Sequence, residues 1–334
     1  MKTALITTTI NVPRVLSLYR AHDPDVMFFV AGDLKTPLET QQFCGEMDNC
    51  IYLSPELQKM HNYKSSELIG WNTDSRRNIA LLEAMRWGAD LIVSVDDDMI
   101  PIEERFWFDV HYPFSNPFNG LRLGAAKTWF NPGCATIPKT RTRGIPIDTT
   151  YDSAPSFAHN VQVGAAQGVI LGVPDADAMT TITFAPAEIA VVSDVLHSGF
   201  VAHLDCKTVF NSQITTFRAE LAPAFAQFYF AQKRNTDIMA SMLMRRIMRE
   251  KQWYTYYGPP MCFHARQPRP LFNDLKAEMY GLEKINEYAD YLNRAPLPKD
   301  ISVTESCRIL AQGWNGPELE AAMAWYEDCE QVMK

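Results

Sequence analysis

Short apolar runs alternate with helical patterns over the first hundred residues. Thr3–Thr9, Val26–Val30 and Leu91–Val95 have the length and composition of buried strands. Ahead of the third, Ser75 is a good N-cap for a helix and Gly88 is well placed to end it. Strands that alternate with helices predict a parallel sheet with helices on its faces.

The pattern changes after residue 100. Pro101–Thr183 is rich in Pro and Gly and lacks long helical runs, which predicts loops and short antiparallel strands. Helical periodicity returns at Thr216–Lys233 and at Asp237–Lys251, and Trp253–His264 predicts a last strand pair. From Leu271 onward the chain is mostly amphipathic helix.

Composition narrows the class of protein. Of the 334 residues 47% are hydrophobic, which is enough for a sizeable core and excludes wholesale disorder. The formal charge of −8 argues against a generally basic nucleic-acid binder, although it leaves a local basic groove open. The seven cysteines are scattered and form no CxxC, so we expect reduced thiols rather than a disulfide framework or a zinc site.

No apolar window approaches the roughly 18 residues of a membrane span. The apolar run within Met1–Ile10 is too short for the core of a signal peptide. We therefore expect a soluble, cytoplasmic protein without a membrane partner.

Three consecutive aspartates follow directly on the third predicted strand. Because side chains alternate along a strand, Asp96 and Asp98 are expected to point one way and Asp97 the other. Two like-facing carboxylates repel each other unless a cation lies between them, and this end of an open α/β sheet is where ligands bind. Mg²⁺ or Mn²⁺ is the natural occupant. The alternative is a solvated turn that caps the next helix.

An Asp-x-Asp at the end of a hydrophobic strand, in a Rossmann-like half, resembles the metal-binding motif of GT-A nucleotide-sugar transferases. This resemblance implies that strand-end threonines hold the nucleoside, an aspartate after the second strand binds the base, and an arginine pair contacts the diphosphate or ribose. The positions concerned, with the acidic residues beside them, are Thr7, Thr8, Thr9, Asp33, Arg76, Arg77, Asp96 and Asp97. Each also has a structural interpretation, as a turn former or a solvated surface charge.

A second resemblance is to the reversibly glycosylated polypeptides, which include the plant UDP-arabinopyranose mutases. The family's motifs SIDDD, RGYP, GLWLNIPDYDAP, FDREL, RYDDMW, YHSK and FVNLKKE are matched in order by Ser94–Asp98, Arg143–Pro146, Gly168–Ala178, Phe217–Leu221, Asp237–Met239, His264–Arg266 and Phe272–Glu278. Each match is short. Together they imply a GT-A fold and a nucleotide-sugar ligand.

The resemblance also implies a metal centre. Asp96, Asp98 and His264 would ligate Mn²⁺ or Mg²⁺, and Arg266 would neutralise the diphosphate. A buried histidine after a strand is the alternative for His264.

Three further positions are expected to be catalytic. The resemblance places Asp237 against the donor sugar, Asp177 on the acceptor side, and Arg143 in the motif associated with mutase activity. The alternatives are a favourable aspartate in a helical first turn for Asp237 and a Pro-Asp turn for Asp177.

Two departures from the family bear on the reaction. A second arginine that the family associates with mutase activity is replaced by Thr150, and the RYDD motif is Arg234–Asp237 here, with one acidic residue lost. We therefore expect a metal-dependent glycosyltransferase with a UDP-sugar donor and a hydroxyl acceptor. The alternatives are a UDP-arabinopyranose mutase-type isomerase and a non-catalytic UDP-sugar-binding protein.

The expected architecture is an α/β GT-A fold with a mixed, mostly parallel sheet. Residues 1–281 would form the catalytic domain, with a nucleotide-binding half (1–100) and an acceptor half (101–281). Residues 282–334 would form a helical extension, and a homo-oligomer is possible. The acceptor is open among a small molecule, a glycan, a protein and DNA with hydroxymethylated bases. A groove for DNA would use two runs of basic residues: Lys139, Arg141 and Arg143, and Arg245, Arg246, Arg249 and Lys251. The alternative, which is more common for such residues, is ordinary solvent-exposed charge.

Overall fold

The computed structural model describes residues 1–102, 105–184, 191–228, 233–264 and 270–334. The strands are β1 (Thr3–Thr9), β2 (Met27–Gly32), β3 (Cys50–Leu53), β4 (Leu91–Val95), β5 (Ile100–Pro101), β6 (Phe118–Leu123), β7 (Thr136–Ile137), β8 (Pro155–Gly172), β9 (Val191–Val192), β10 (Phe200–Ala202), β11 (Ile214–Arg218) and β12 (Trp253–His264).

The α-helices are α1 (Leu16–His22), α2 (Glu39–Gly45), α3 (Pro55–His61), α4 (Lys64–Leu68), α5 (Arg77–Arg86), α6 (Phe106–Ser115), α7 (Ala178–Phe184), α8 (Asp194–Ser198), α9 (Thr236–Glu250), α10 (Leu271–Arg294), α11 (Val303–Trp314) and α12 (Leu319–Val332). Short 3-10 turns lie at Asp74–Arg76, Pro132–Ala135, Ala219–Phe225 and Lys233–Asn235.

A mixed sheet of ten strands runs through the described residues in the order β3-β2-β1-β4-β11-β8-β6-β10-β12-β5. The first four strands in that order are mutually parallel. Strand β11 is antiparallel to β4, and β12 is parallel to β8. The fold is therefore α/β with a mixed sheet, as the alternation of strands and helices predicts. The carboxyl ends of β1 and β4 lie side by side.

Successive side chains of β1 point to opposite faces of the sheet and pack into two different hydrophobic clusters. Ile6 belongs to the hydrophobic cluster that includes the buried face of α5, whereas Leu5 belongs to a second cluster with Tyr19 and Phe106 on the opposite face. All seven residues of β1 are buried or nearly so, which matches the sequence pattern of a central parallel strand covered on both sides.

Several sequence predictions are confirmed. Strands β1 and β4 have the predicted bounds, α5 ends just before Gly88, which has the positive φ of a helix-terminating glycine, and α9 covers the predicted segment to within one residue.

Other predictions are wrong. Thr216–Lys233 is not the predicted helix where the structure describes it: Thr216 lies in β11, which pairs with β8, and a 3-10 turn follows at Ala219–Phe225. The segment after Pro101 contains the ten-residue helix α6 and the 18-residue strand β8, not only loops and short strands. Trp253–His264 is one strand that pairs with β8, not a strand pair.

The C-terminal helices pack into the main core. The Asp328 carboxylate in α12 accepts hydrogen bonds from the backbone N–H groups of Lys64 (2.9 Å) and Ser65 (2.8 Å) at the start of α4. Trp325 is fully buried and donates to the Pro223 carbonyl. The expected domain boundary at 281/282 falls inside the continuous helix α10, where Gly281 touches the Asn235 side chain.

No helix among the described residues combines the length and apolarity needed to cross a bilayer. The seven cysteines are free thiols.

Candidate active site

A cavity of about 280 Å³ opens where β1 and β4 end. It is polar and dominated by charged side chains; its lining residues are Thr8, Asp74, Arg77, Asp96, Asp97, Asp98, Arg143, Asp175, Ser212, Gln213, Arg234, Thr236 and Asp237. The sequence therefore predicted the position of the cavity, at the carboxyl ends of the parallel strands.

The three aspartates after β4 take three different partners. Asp96 forms an ion pair with Arg77, Asp97 accepts a hydrogen bond from the Thr9 hydroxyl, and an Asp98 oxygen lies 3.0 Å from His264 Nε2. All three line the cavity, and the directions of their side chains are not set by strand alternation because β4 ends at Val95. The triplet follows in a turn, where strand alternation no longer applies.

The expected three-ligand metal set is consequently not assembled. Asp98 and His264 adjoin each other, but Asp96 is turned to Arg77, and no cluster of three or more His, Cys, Asp or Glu side chains suited to a metal exists in the described ranges. Arg266, the expected diphosphate ligand, lies outside the described residues.

His264 is oriented by the backbone. It is 2% exposed, and its Nδ1 lies 3.2 Å from the Val173 carbonyl oxygen, which can only accept a hydrogen bond. The Nδ1 contact fits an N–H donated to that carbonyl, and Nε2 is the ring nitrogen directed at Asp98. An imidazole held in this way by a carbonyl is the usual arrangement of a metal-ligating histidine.

The Asp98–His264 pair has the spacing of two ligands on one ion. Neighbouring ligands of an octahedral ion with bonds of about 2.1 Å lie about 3.0 Å apart, and the two atoms are separated by 3.0 Å. A mixed nitrogen and oxygen donor set suits Mn²⁺ better than Mg²⁺, which prefers oxygen. The residues present thus fit a divalent ion held by two side chains, with other ligands from a substrate or water.

The adjacent residues Arg76 and Arg77 lie in different environments. Arg76 is fully buried, lies 3.9 Å from the Trp71 ring, and donates its five N–H groups to the Gln58 side chain, the Ser66 hydroxyl and the carbonyls of Ser66 and Gly70. Burial lowers the pKa of Arg76 to about 10. With all donors used, Arg76 supports the loop before α5 and has none left for a diphosphate.

Arg77 lines the cavity. Its guanidinium pairs with Asp96 and donates to the Ser212 carbonyl at 3.3 Å, while its Nε has no partner among the described residues. Burial opposes the charge, but Asp96 and its acidic neighbours outweigh that effect and raise the pKa of Arg77. Of the two arginines, Arg77 alone borders the space where a ligand would lie.

Arg143 forms the floor of the cavity with two aspartates. It donates from Nε and Nη2 to Asp175 at 2.8 Å, from Nη1 and Nη2 to Asp237 at 2.9 and 2.8 Å, and from Nη1 to the Arg234 carbonyl. Burial disfavours this cation, yet the two carboxylates raise its pKa well above the ordinary value. Because its five N–H groups are all used, Arg143 positions Asp175 and Asp237 and does not itself offer a donor to a substrate.

Asp237 faces the cavity from the first turn of α9. Besides Arg143, it accepts from the backbone N–H of Ser212 at 3.1 Å and of Ile238 at 3.0 Å. The position of Asp237 is compatible with both interpretations of it, since the residue lies in the first turn of a helix and also borders the cavity.

Asp177 does not line this cavity. It forms a two-pronged ion pair with Arg141 (2.9 and 2.6 Å) and accepts from the backbone N–H of Thr180 at the start of α7. In the described geometry Asp177 therefore caps the first turn of α7, and its acceptor-side role stays a prediction.

The threonines lie in β1, and Asp33 follows β2. Thr8 borders the cavity and donates to the Ala31 carbonyl at 2.9 Å, whereas Thr7 is fully buried. Asp33 accepts from the backbone N–H groups of Leu34 (2.6 Å), Asn72 (2.7 Å) and Thr73 (3.1 Å). It thereby anchors the loop that carries Asp74.

Sequence reasoning missed Asp74, Gln213 and Arg234. Asp74 borders the cavity, and desolvation by the surrounding protein raises the pKa of its carboxyl to about 6. Arg234 joins the floor to α10 through Glu278 at 3.0 Å and Asp274 at 3.7 Å. The only signal for Asp74 was its place just before the arginine pair.

The basic run on α9 is structural. Arg245 donates to the Thr255 hydroxyl and the Cys206 carbonyl, and Arg246 to the carbonyls of Leu292 and Ala295. In the other run, Arg141 and Arg143 are held in ion pairs. These four arginines join elements of the fold through hydrogen bonds and ion pairs.

No protein-family model matches the sequence, and the comparison with curated proteins gives no match either. Among solved structures, the fold is similar to glucosyl-3-phosphoglycerate synthase from Mycobacterium tuberculosis in complex with Mn²⁺ and UDP-glucose (TM-score 0.46, 10% identity, 90% of this chain and 80% of that chain). A complex of the same enzyme with phosphoglyceric acid matches at a TM-score of 0.46 and 11% identity, over 90% of this chain and 81% of the other.

A mannosyltransferase from Pyrobaculum calidifontis in complex with GDP-Man and Mn²⁺ matches at a TM-score of 0.41 and 10% identity, over 99% of this chain and 86% of that chain. Similarity at this level establishes neither the family nor the activity of this chain. The resemblance to the reversibly glycosylated polypeptides therefore stays an expectation.

Proposed function

We propose that this protein is a metal-dependent glycosyltransferase that moves a sugar from a UDP-sugar to an acceptor hydroxyl. The observation that carries the proposal is the convergence of the Asp98–His264 pair, Arg77 and the anchored Asp237 on one cavity region at the carboxyl ends of parallel strands. Such a site offers a metal position, a cation for phosphate and a carboxylate for the sugar.

Asp98 and His264 would hold the divalent ion, because their facing atoms have the spacing and chemistry of adjacent ligands. A bound Mn²⁺ would supply charge neutralisation for the diphosphate that leaves as the glycosidic bond breaks.

The protein's own residues would do the rest. Arg77, with an unpartnered Nε among the described residues, would donate to the diphosphate. Asp237, fixed by Arg143 and the Ser212 N–H, would face the sugar that develops positive charge as the bond breaks. Its anchoring keeps the carboxylate in place without rearrangement during the reaction.

Uridine and the hydroxyl acceptor are assigned from the sequence resemblance. Within that resemblance, transfer is favoured over mutase chemistry because Arg143 has no N–H left to interact with a sugar and Thr150 replaces the second arginine. A small hydroxyl compound, a glycan or a protein fits the site better than DNA, since the basic runs hold the fold together.

The first test is UDP release from UDP-sugars with Mn²⁺, measured for the wild type, Asp98→Ala and the control Asp205→Ala, which changes an exposed aspartate away from the cavity. Turnover should depend on Mn²⁺ and be lost only in Asp98→Ala. Equal turnover in all three would refute the metal role.

A second measurement separates the alternatives. UDP-arabinose is incubated without an acceptor and its two ring forms are resolved by chromatography; interconversion would support the mutase. Binding of UDP-sugar by calorimetry, without turnover of any donor, would leave a non-catalytic binding protein.

A further inference from the structure

Gln213 lies on a fixed segment between the acidic triplet and Asp237. Its carbonyl accepts from the backbone N–H of Asp96 at 3.2 Å, and its own N–H donates to the Asn211 side chain at 3.1 Å. The preceding residue, Ser212, donates its N–H to Asp237. The backbone of Gln213 is thus tied to both ends of the candidate site, which restricts where its side chain can reach.

The carboxamide of Gln213 stands out from the other buried amides. The side chain forms part of the cavity wall and the residue is 7% exposed, yet its Oε1 is enclosed and has no hydrogen-bond partner within the described residues. By contrast, Gln58 and Gln167 are hydrogen-bonded at both ends of their amides. A buried amide oxygen without a hydrogen-bond donor is unfavourable unless a ligand satisfies it.

The position and chemistry of this amide indicate what it would meet. It lines the same cavity as Asp96 and Arg77, proposed for the diphosphate side, and Asp237, proposed for the sugar side. An amide both donates and accepts, as a hydroxyl does, whereas a phosphate oxygen only accepts. The last torsion of a glutamine is broad, so the amide can turn either end to the cavity.

We propose that Gln213 hydrogen-bonds one hydroxyl of the donor sugar and thereby determines which sugars the site accepts. This inference rests on the proposed function and adds a specificity-determining residue to it. A site built to bond a hydroxyl rejects the analogue that lacks it, because the buried amide is then left unpaired.

The test uses the UDP-sugar that the wild type turns over best and its analogues that each lack one hydroxyl. For the wild type, kcat/KM should fall about 10- to 100-fold for one of these analogues. Gln213→Met keeps the side-chain length but removes the amide. In this variant kcat/KM for the parent sugar should fall by a similar factor, and kcat/KM for the parent sugar and for that one analogue should differ by less than about threefold.

Gln167→Met is the matched control, since it removes a buried amide that the fold itself satisfies. It should lower the melting temperature but keep the discrimination between the parent sugar and the same analogue. Calorimetry with UDP alone provides the second readout, and Gln213→Met should bind UDP as the wild type does.

Unchanged discrimination in Gln213→Met, or an equal loss of UDP and UDP-sugar binding, would overturn the role of Gln213 while leaving the glycosyltransferase proposal intact. A wild type that binds no UDP-sugar in the presence of Mn²⁺ would overturn both. These outcomes separate the failure of the specific inference from that of the function on which it rests.

Discussion

The mouth and the floor of the same cavity are built from similar residues in opposite ways. At the mouth, beside β4, the Asp98 side chain is 60% exposed, and behind it the buried Arg77 keeps an Nε that has no partner within the described residues. At the floor, Arg143 uses all five of its N–H groups on Asp175, Asp237 and a carbonyl. The mouth has capacity for a ligand, whereas the floor is saturated by the protein.

This difference shows that charge in a cavity does not by itself identify a ligand-binding residue. A ligand-binding residue is identified by the hydrogen-bond donors and acceptors that have no partner within the protein. Arg76 and Arg77 make the same point within two consecutive positions, since only Arg77 borders the cavity.

The largest effect should come from breaking the floor. Arg143→Met removes the cation that bridges the buried carboxylates of Asp175 and Asp237, so the free energy of unfolding should fall by about 3–5 kcal/mol in urea titrations. The exposed Arg14 offers the control Arg14→Met, which should change it by less than about 0.5 kcal/mol. Equal effects in the two variants would show that the floor is not a structural unit.

The next effect should come from the mouth. Asp98→Asn weakens one proposed metal ligand, so Mn²⁺-dependent UDP release should fall by about 100-fold. Because the side chain is largely exposed, the melting temperature should stay within about 2 °C of the wild type. A large fall in melting temperature would show that Asp98 stabilises the fold, as the floor residues do.

The arginine pair sharpens the comparison at one point of the chain. Arg77→Lys should raise the Kd for UDP-sugar about tenfold, because a lysine cannot reproduce the forked donor geometry. Arg76→Lys should lower the free energy of unfolding by about 2 kcal/mol and change that Kd less than twofold, since its N–H groups serve the fold. Calorimetry and urea titration on both variants check this, and a reversed pattern would contradict the assignment.

The smallest effect concerns pH. The pKa of Asp74 in the folded protein is raised from 3.8 to about 6, so the folded state binds a proton more tightly than the unfolded chain. Stability contributed by this proton is present below about pH 4 and lost as the pH rises to about 6.

Melting temperatures of the wild type and Asp74→Asn should therefore diverge between pH 4 and pH 6, with the variant the more stable at pH 7. A constant difference across this range would show that Asp74 titrates normally.

The sequence predicted the nucleotide-side half of the fold well because its evidence there is local. The apolar run of β4 and the strand pattern of β1 identify buried strands directly, and the aspartates that follow β4 must lie at the carboxyl edge of the sheet. The prediction failed at Thr216–Lys233, where pairing with β4 and β8 makes a strand of residues whose local pattern favours a helix.

Within the candidate site, residue identity alone did not separate ligand-binding groups from structural ones. Asp177 and Asp237 both belong to short matched motifs, but Asp177 caps α7 and Asp237 borders the cavity. Gln213 carries no sequence signal, because its significance depends on a missing hydrogen bond that exists only once the neighbouring elements have packed.

By itself, the amino-acid sequence determined an α/β fold and the edge of the sheet at which acidic and basic side chains collect. Strand periodicity and the order of elements are properties of the chain, so they can be inferred without coordinates. The tertiary structure decided which charges remain available to a ligand: Arg143 and Arg76 are saturated, and Asp98 adjoins His264. Hydrogen-bond partners come from distant segments, and only folding determines which of them meet.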